Sequence, residues 1–450
     1  MDVKVGKGKG VYQYSLAVSP LDCMGCGVCA ETCPTKSLTM KPVATQMDQQ
    51  KAWDYMVRLP EKPDMQDFTM KGSQFRRPLL QFSGSCAGCA ETAYARLVTQ
   101  LYGERMYVAN ATGCSSIWGG TAAVSPYDAA DNGRGVAWAN SLFEDNAEFG
   151  LGIYLGQQNI RRGLIDELKT LLDGSADESF RAAAQAYLDS QDKGEENTKA
   201  TDALVPELEK LAADGETLAA RILENKDYLS KKSVWIFGGD GWAYDIGFGG
   251  LDHVLASGND VNVFVFDTEV YSNTGGQASK ASNLGQVAQF AAAGKATAKK
   301  SLAEIAMSYG YVYVAQIAMG ADPNQTIRAI QEAEAYPGPS LIIGYAPCEM
   351  HSIKGGMVNC QAEMKRAVDC GYWNLFRYNP AKEKPFSLDS KKPAEGAAYR
   401  DFLMNEARYS ALSQFFPARA DELFAENEAA ARQRYSRLEN LRDYYNKVEQ

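Results

Sequence analysis

The stretch DTEVYSNTGG, residues 267–276, follows directly on VNVFVF, residues 261–266. A run this apolar is typical of a β-strand buried on both faces, as in a parallel sheet covered by helices. The polar stretch then supplies an acid, several hydroxyls, an amide and two glycines where the strand ends. Because ligands bind at the carboxyl ends of the strands in such sheets, the transition predicts a ligand-binding loop.

Strands and helices alternate on both sides of this loop. The other candidate strands are VWIF at 234–237, YVYVAQI at 311–317 and SLIIGY at 340–345. This alternation predicts an α/β fold, a parallel sheet with helices on both faces. The four candidate strands end in GGDGW, DTEVYSNTGG, AMGAD and APCEMHS. We expect these four ends to meet on one edge of the sheet and to form a site.

Asp240 and Thr268 stand at the ends of two successive strands. The glycines of GGDG, 238–241, let a ligand approach the backbone, and a helix beginning there favours an anion. Magnesium prefers hard oxygen ligands and often shares its shell with a diphosphate. A carboxylate, a hydroxyl and a backbone carbonyl would supply that shell. A nicotinamide site fits the same topology, but GGDGW lacks the G-x-G-x-x-G pattern, so we favour a magnesium-diphosphate.

Ten cysteines and only two histidines predict thiolate-rich metal sites. CMGCGVCAETCP, 23–34, fits C-x2-C-x2-C-x3-C-P, the bacterial ferredoxin run whose fourth cysteine ligates the other cluster. We therefore expect Cys23, Cys26 and Cys29 to bind one [4Fe–4S] cluster and Cys33 to bind a second. The partner run is expected upstream. The flanking YSLAV and SLTMKP are expected to form short strands of half a ferredoxin module.

A second cysteine set consists of Cys86 and Cys89, spaced C-x2-C, with Cys114 and Cys348 far along the chain. Spacing alone leaves zinc and an iron–sulfur cluster open. The remaining cysteines, at 360 and 370, are expected to be buried thiols. A loop or core role is expected for His351.

The sequence divides into zones. Residues 1–58 are expected to form a partial 4Fe–4S ferredoxin-like α+β domain, and residues 59–78 a connector. Residues 79–450 would form the main domain, with a helical insertion at about 153–230 and a C-terminal helical tail. Within the insertion, DSQDKGEENTK, 189–199, is expected to be a mobile surface loop.

Composition narrows the class of partner. The chain has 450 residues, 45% of them hydrophobic and 23% charged, with a net charge of −10. That charge argues against nucleic acid. No apolar run approaches the roughly 20 residues of a membrane span, and the N-terminus lacks the apolar core of a signal peptide. We expect a cytoplasmic protein.

Several motifs together resemble one family. GGDGWAYDIGFGGLDHVL, 238–255, followed by DTEVYSNTGGQ, resembles the thiamine-diphosphate domain of the pyruvate:ferredoxin (or flavodoxin) oxidoreductases. So do CAGCAET at 86–92, GCSSIWGG at 113–120, YAPCEMH at 345–351 and DFLMNEARY at 401–409. The resemblance covers nearly the whole chain and corresponds to the C-terminal third or so of the single-chain enzymes.

The resemblance implies roles for individual residues. The magnesium ligands would be Asp240, Thr268 and the carbonyl of Val270. Glu91 and Cys114 would lie against thiamine diphosphate, and Asn273 would act near its reactive carbon as a catalytic residue. The cofactor cradle would comprise Gly239, Asp240, Gly241, Trp242, Thr268, Glu269, Val270, Tyr271, Ser272 and Asn273. The [4Fe–4S] cluster beside the cofactor would be held by Cys86, Cys89, Cys114 and Cys348.

The resemblance also implies a reaction. The family decarboxylates pyruvate oxidatively to acetyl-CoA and carbon dioxide, with coenzyme A as co-substrate. Single electrons pass through [4Fe–4S] clusters to ferredoxin or flavodoxin. The intact enzyme would be a homodimer. The pyrimidine-side domain that activates the cofactor has no counterpart here, so we expect the isolated chain to bind poorly or unproductively and to lack turnover.

Two other interpretations remain open. The chain would be a subunit of a split 2-oxo acid:ferredoxin oxidoreductase if it acts with separate polypeptides. It would be a noncatalytic iron–sulfur electron-relay fragment if it carries clusters without affinity for thiamine diphosphate. A transketolase-like carboligase would not need the placed cysteines.

Overall fold

The computed structural model describes residues 2–4, 11–62, 65, 68–120, 124–175, 177–393 and 396–447. Part of the predicted connector at 59–78 and part of the predicted ferredoxin-like segment at 1–58 lie outside the described residues.

An eight-stranded sheet forms the centre of the main domain, in the strand order β10-β9-β7-β8-β6-β5-β3-β4. The six strands from β7 to β4 are parallel, while β9 and β10 add an antiparallel edge beside β7. A separate antiparallel pair, β1 and β2, lies at the N-terminus. The strands are β1 Asp2–Lys4, β2 Val11–Gln13, β3 Met106–Ala111, β4 Ala137–Ser141, β5 Ser233–Gly239, β6 Asn262–Asp267, β7 Tyr313–Ile317, β8 Ser340–Tyr345, β9 Phe376–Tyr378 and β10 Phe386–Leu388.

The central strands are those that the apolar runs predict. Every residue of β6 and β8 is buried, as is all of β5 except Gly239. Strands covered on both faces lose the alternation of apolar and polar residues and become continuous apolar runs, as VNVFVF does. The predicted α/β fold is confirmed. The sequence did not predict β3, β4 or the antiparallel edge.

Helices cover both faces of the sheet, joined by short 3₁₀ turns and one π-helical turn, Gly241–Ile246. The helices are α1 Val28–Thr32, α2 Gln49–Met56, α3 Met70–Ser73, α4 Glu91–Tyr102, α5 Cys114–Gly119, α6 Asn146–Gly174, α7 Glu178–Asp189, α8 Gly194–Ala213, α9 Thr217–Glu224, α10 Phe248–Ala256, α11 Leu302–Met307, α12 Pro323–Ala335, α13 Cys360–Asp369, α14 Ala398–Met404, α15 Ala407–Phe415 and α16 Pro417–Tyr445.

Between β4 and β5 the chain forms four consecutive helices, α6 to α9, which share an apolar cluster of their own. The stretch 189–199 is not the loop that its polarity predicted, because α8 begins at Gly194. Asn197 is buried there, and its Oδ1 accepts hydrogen bonds from Arg161 Nη2 at 3.1 Å and Lys231 N at 2.7 Å. The loop prediction was wrong because the partners that hold Asn197 lie more than 30 residues away, so the local composition does not reveal them.

The N-terminal segment departs from prediction in its strands. YSLAV, 14–18, and SLTMKP, 37–42, are irregular, while β2 lies just before the first of them. Isolated strands leave their backbone groups unpaired, and a single hairpin is only marginally stable in water. Neither stretch pairs with another strand within the described ranges, so neither forms a strand.

The C-terminal helix α16 was predicted from its sequence, and it packs back onto the antiparallel edge of the sheet. The ring of Tyr445 stacks on Phe386 and contacts Tyr378. None of the helices in the described ranges combines the length and the apolar character needed to cross a membrane.

Candidate functional site

Four neighbouring parallel strands, β8, β6, β5 and β3, end on the same edge of the sheet. Asp240 directly follows β5, Thr268 follows β6, Cys348 lies three residues after β8, and Cys114 begins the helix after β3. Parallel strands place their carboxyl ends together, so side chains far apart in sequence meet here.

The end of β7 does not contribute as expected. Asp322 of AMGAD caps α12 by accepting a hydrogen bond from Gln325 N at 2.9 Å. A Cβ at Gly320 would lie 2.2 Å from the carbonyl oxygen of Gln361, so α13 covers this strand end. The strand that takes its place is β3, which the sequence did not predict.

Asp240 is a buried carboxyl group, only 1% exposed. Its Oδ1 accepts from Thr268 Oγ1 at 2.9 Å and from Thr268 N at 3.3 Å, and its Oδ2 accepts from Ser279 Oγ at 2.5 Å. The pKa of Asp240 is raised to about 7, mainly by burial and also by the charge of Asp267, while hydrogen bonds from Ser279 and Thr268 act in the opposite direction. A bound cation would favour the ionised form.

Oxygen atoms converge on the hydroxyl of Thr268. Its Oγ1 lies 2.9 Å from both Asp240 Oδ1 and Val270 O, and 2.8 Å from Ser272 Oγ. The hydroxyls of Thr268 and Ser272 carry one proton each. These two protons are shared among the four oxygens, which have more lone pairs than two protons can bond. Hard cations such as magnesium prefer a carboxylate, hydroxyl and carbonyl donor set of this kind. The three residues implied as magnesium ligands are therefore adjacent and fit that ion.

The backbone between these ligands has an unusual conformation. Glu269 has a φ of 60°, in the left-handed region, although it is not a glycine. Such a residue costs about 1–3 kcal/mol and persists where its surroundings hold it. The Glu269 carboxylate is fully buried and points into a cluster that includes Lys299 and Arg408. The backbone carbonyl of Glu269 is held as well, since it accepts from Ser282 Oγ at 2.6 Å and from Gln286 Nε2 at 3.0 Å.

Glycines allow aromatic side chains to approach this edge closely. A Cβ at Gly241 would lie 2.3 Å from the ring of Tyr271, whose hydroxyl donates to Gly241 O at 3.2 Å. At Gly239 the nearest atom to such a Cβ is 3.9 Å away, so its backbone borders open space. Trp242 is 3% exposed and lies in the first turn after Asp240. Within 239–242, Gly239 is thus the one partly exposed residue beside the oxygen cluster, and residues 240–242 are buried.

Asn273 is exposed, and no hydrogen bond of its side chain is found within the described part of the chain. It directly follows Ser272, whose hydroxyl belongs to the oxygen cluster.

The four cysteines of the second set lie close to one another. Burial raises the pKa of Cys114, followed by the charges of Glu91, Cys348, Cys89 and Cys86. The structure thus brings together residues from three separate segments.

Glu91 lies beside this cysteine set, at the start of α4. It is 5% exposed, and its Oε2 accepts from Trp118 Nε1 at 2.8 Å. Burial raises the pKa of Glu91 to about 7, and the hydrogen bond from Trp118 opposes this. The cysteine set also touches the oxygen cluster, because Cys348 Sγ lies 3.4 Å from Ser272 Oγ.

Four thiolates at about 2.3 Å from one ion would lie within ~4 Å of each other. Over the described ranges, no three or more His, Cys, Asp or Glu side chains are placed to hold one metal ion.

Comparisons with known proteins match two parts of the chain to families. Residues 217–343 match the family described as thiamine pyrophosphate enzyme, C-terminal TPP binding domain, and residues 16–39 match a 4Fe-4S binding domain. Pyruvate-flavodoxin oxidoreductase of Klebsiella pneumoniae is 53% identical over 97% of this chain, and pyruvate:ferredoxin oxidoreductase of Moorella thermoacetica is 52% identical over 97%. The chain is homologous to these oxidoreductases.

The homology is to part of a longer protein. The chain spans 38% of the length of each of these two relatives, and the match is to a C-terminal part. A solved 2-oxoglutarate:ferredoxin oxidoreductase from Magnetococcus marinus, with 2-oxoglutarate, coenzyme A and succinyl-CoA bound, overlaps 60% of this chain and 65% of its own. Its identity is 15% and its TM-score 0.34, too low to support a structural argument.

In this oxidoreductase homologue, one short segment lies against both cysteine loops. A Cβ at Gly88, between Cys86 and Cys89, would lie 2.7 Å from Met357 O. A Cβ at Gly27, just after Cys26, would lie 3.3 Å from Val358 Cγ2. The segment 357–358 therefore lies between the ferredoxin-type run and the second cysteine set.

The two remaining cysteines are buried, as expected. Burial raises the pKa of Cys360, and the charge of Cys26 adds to it, so this thiol lies near the ferredoxin-type run. Cys370 donates a hydrogen bond to Ala367 O within α13. His351 is also fully buried, and it contacts the carbonyl of Thr268, which the sequence did not predict.

Sequence reasoning missed the residues that support the site from behind. Ser279 donates to Asp240 across 39 residues, and Arg408 reaches Glu269 across 139. No local pattern marks either residue, because each acts through a partner that is distant in the chain. The signal available was the resemblance of DFLMNEARY, which contains Arg408.

Proposed function

We propose that the chain is the C-terminal part of a pyruvate:ferredoxin or flavodoxin oxidoreductase that binds magnesium and thiamine diphosphate. The observation that carries the proposal is the convergence of Asp240 Oδ1, Thr268 Oγ1 and Val270 O within hydrogen-bonding distance, beside the thiol of Cys348. An oxidoreductase of this class needs its metal-diphosphate site and its first electron acceptor side by side.

Different residues at the carboxyl edge of the sheet bind magnesium, the diphosphate and the substrate. Asp240, Thr268 and the carbonyl of Val270 hold magnesium. The backbone of 239–242 and of 268–273 cradles the diphosphate, and Glu91 lies on the cysteine side. Asn273, exposed at the mouth, hydrogen-bonds the substrate. When bound, thiamine diphosphate supplies the electron sink that pyruvate decarboxylation requires.

Electrons leave through iron–sulfur clusters. Cys86, Cys89, Cys114 and Cys348 hold the cluster beside the cofactor. Cys23, Cys26 and Cys29 hold a ferredoxin-type cluster, and Cys33 ligates its neighbour. Ferredoxin or flavodoxin takes the electrons, and coenzyme A takes the acetyl group.

The division of the chain follows from these roles. Residues 1–58 are the partial ferredoxin-like domain, 59–78 the connector, and 79–450 the cofactor-binding domain with an insertion at about 153–230. The complete enzyme is a cytoplasmic homodimer that includes an N-terminal part. The chain alone lacks turnover, since none of its segments resembles the domain that activates the cofactor.

Binding is tested by titrating the anaerobically purified chain with thiamine diphosphate and following tryptophan fluorescence, with magnesium or with a chelator. We expect quenching only with magnesium. Asp240→Asn should weaken binding at least about tenfold, or ~1.4 kcal/mol. The matched control is Asp322→Asn, at the end of β7, where asparagine still caps α12.

Turnover is tested by assaying pyruvate-dependent reduction of ferredoxin or flavodoxin, with and without the remaining part of a relative. We expect turnover only in its presence. Metal-independent quenching, or equal effects of the two substitutions, would contradict the assigned site. Assembled clusters without any affinity for thiamine diphosphate would identify an electron-relay fragment instead.

A further inference from the structure

The carboxylate of Glu269 is held by four donors, although this residue lies between two proposed magnesium ligands. Its Oε1 accepts from Lys299 Nζ at 3.0 Å and Asn283 Nδ2 at 2.9 Å. Its Oε2 accepts from Arg408 Nη1 at 2.8 Å and from the Tyr372 hydroxyl at 2.5 Å. The carboxylate is inaccessible to solvent. The side chain is therefore fixed from behind the loop.

Arg408 connects this carboxylate to the C-terminal part of the chain. Its Nε donates to Glu406 Oε2 at 2.6 Å, and its own carbonyl accepts from Val287 N at 2.7 Å. Arg408 is 4% exposed and Glu406 is fully buried. One guanidinium thus joins two carboxylates, a geometry that arginine provides and lysine does not.

A second set of contacts, through His351, joins Glu406 to the 268–270 loop. His351 Nε2 lies 2.7 Å from Thr268 O, and its Nδ1 lies 3.6 Å from Glu406 Oε1. The contacts therefore form a ring from Thr268 through His351, Glu406 and Arg408 to Glu269, in which His351 and Glu406 lie near each other without a hydrogen bond between them. Its two ends are consecutive residues of the loop.

We propose that Arg408, with Glu406 and His351, is a positioning unit that holds Glu269 in its left-handed conformation and so directs the Thr268 hydroxyl and the Val270 carbonyl at magnesium. This inference rests on the proposed function of the loop. The ring fixes the carbonyl before Glu269 and the side chain of Glu269 at once. Rotation of φ to ordinary negative values would break one of these attachments.

A matched pair of substitutions tests the role. Arg408→Lys keeps the charge but cannot reach both carboxylates with fixed geometry. Arg377 is the control, since it too is buried and joins two carboxylates, those of Asp389 and Glu332, at 2.8–2.9 Å. Neither Arg377 nor its partners contacts the 268–270 loop in the part of the chain that the structure describes.

The readout is the dissociation constant of Mn²⁺, measured by electron paramagnetic resonance with saturating thiamine diphosphate, alongside the urea midpoint of each variant. Arg408→Lys should raise the constant at least about tenfold. Arg377→Lys should leave it within about twofold, even if it lowers the midpoint as much.

A milder pair covers the case in which Arg408→Lys does not fold. Tyr372→Phe removes one donor to Glu269 and should weaken Mn²⁺ binding about threefold or more. Tyr313→Phe removes a buried hydroxyl that bonds Glu332, away from the loop, and should leave Mn²⁺ binding unchanged.

Equal Mn²⁺ affinity in the Arg408 variant and the original chain would overturn the positioning role, as would equal losses in both arginine variants. If the original chain itself binds no Mn²⁺ with thiamine diphosphate, the proposed function fails first and the inference fails with it.

Discussion

The sulfur of Cys348 lies 3.4 Å from the hydroxyl of Ser272, and that hydroxyl is 2.8 Å from Thr268 Oγ1. One serine therefore joins the cysteine set to the oxygen cluster. As a free thiol, Cys348 donates this hydrogen bond. As a thiolate cluster ligand it could only accept, so Ser272 would donate. The contact then stabilises negative charge on the sulfur.

Ser272→Ala should lower the reduction potential of the cluster at Cys348, because reduction adds negative charge that the hydroxyl would otherwise stabilise. One hydrogen bond of about 1 kcal/mol corresponds to roughly 40 mV for one electron. A potentiometric titration followed by electron paramagnetic resonance measures the shift. Thr274→Ala, in the same loop but bonded to Gln277, is the control and should leave the potential unchanged. A rise in the Ser272 variant would contradict this assignment.

The proposed ligand set predicts which cysteines the chain needs to retain its full iron content. Cys348→Ser or Cys114→Ser should remove one cluster, about four irons per chain, because each is proposed to supply one of its four ligands. Cys370→Ser should retain full iron content, since that thiol is buried and donates to Ala367 O. Iron analysis of anaerobically purified variants checks both. Equal loss from Cys370→Ser would mean that the ligand set is wrong.

The sequence predicted the central strands because burial on both faces leaves a clear signal. VNVFVF and SLIIGY are uninterrupted apolar runs, and both became fully buried strands. The strands β3, MYVANA, and β4, AWANS, were missed. Their alanine and asparagine residues have low strand propensity, and their pairing with β5 and with each other stabilises them instead.

The sequence predicted the part of the candidate site that lies directly at the strand ends. Asp240 and Thr268 meet because β5 and β6 are parallel neighbours. The supporting residues were not predictable, since the contact between Arg408 and Glu269 depends on how the C-terminal helices pack. The sequence also could not predict the left-handed conformation of Glu269, because a positive φ is common for glycine but rare for glutamate.

Lys295 predicts a dependence of stability on pH. Its Nζ donates to Ser279 O at 2.9 Å and to Ser282 O at 2.6 Å, behind Asp240. The pKa of Lys295 is lowered to about 8, mainly by burial and also by the charge of Lys299. A lysine whose pKa is depressed in the folded state disfavours folding below that pKa. The cost disappears as pH rises toward the unfolded value of about 10.4.

Urea unfolding of the original chain and Lys295→Gln at pH 7 and pH 9.5 measures this effect. Relative to the variant, the original chain should gain about 1 kcal/mol at the higher pH, a figure reduced for solvent screening of a half-exposed group. The difference between the two proteins isolates this group from others that titrate in the same range. A constant difference would show that the lysine is equally protonated in both states.

Gly88 tests the contact between the cysteine loop and the segment at 357–358. Its φ is 80°, and a Cβ there would meet Met357 O at 2.7 Å. Gly88→Ala should therefore displace the Cys86–Cys89 loop and destabilise the chain by about 1–3 kcal/mol, with loss of the cluster signal. Gly133→Ala is the matched control, since its φ is 78° with no atom within 4 Å of a Cβ. Gly133→Ala shares the backbone strain of Gly88→Ala but not the clash.

Electron paramagnetic resonance of both variants separates the two effects. Equal loss of the cluster signal in both would assign the defect to backbone strain alone.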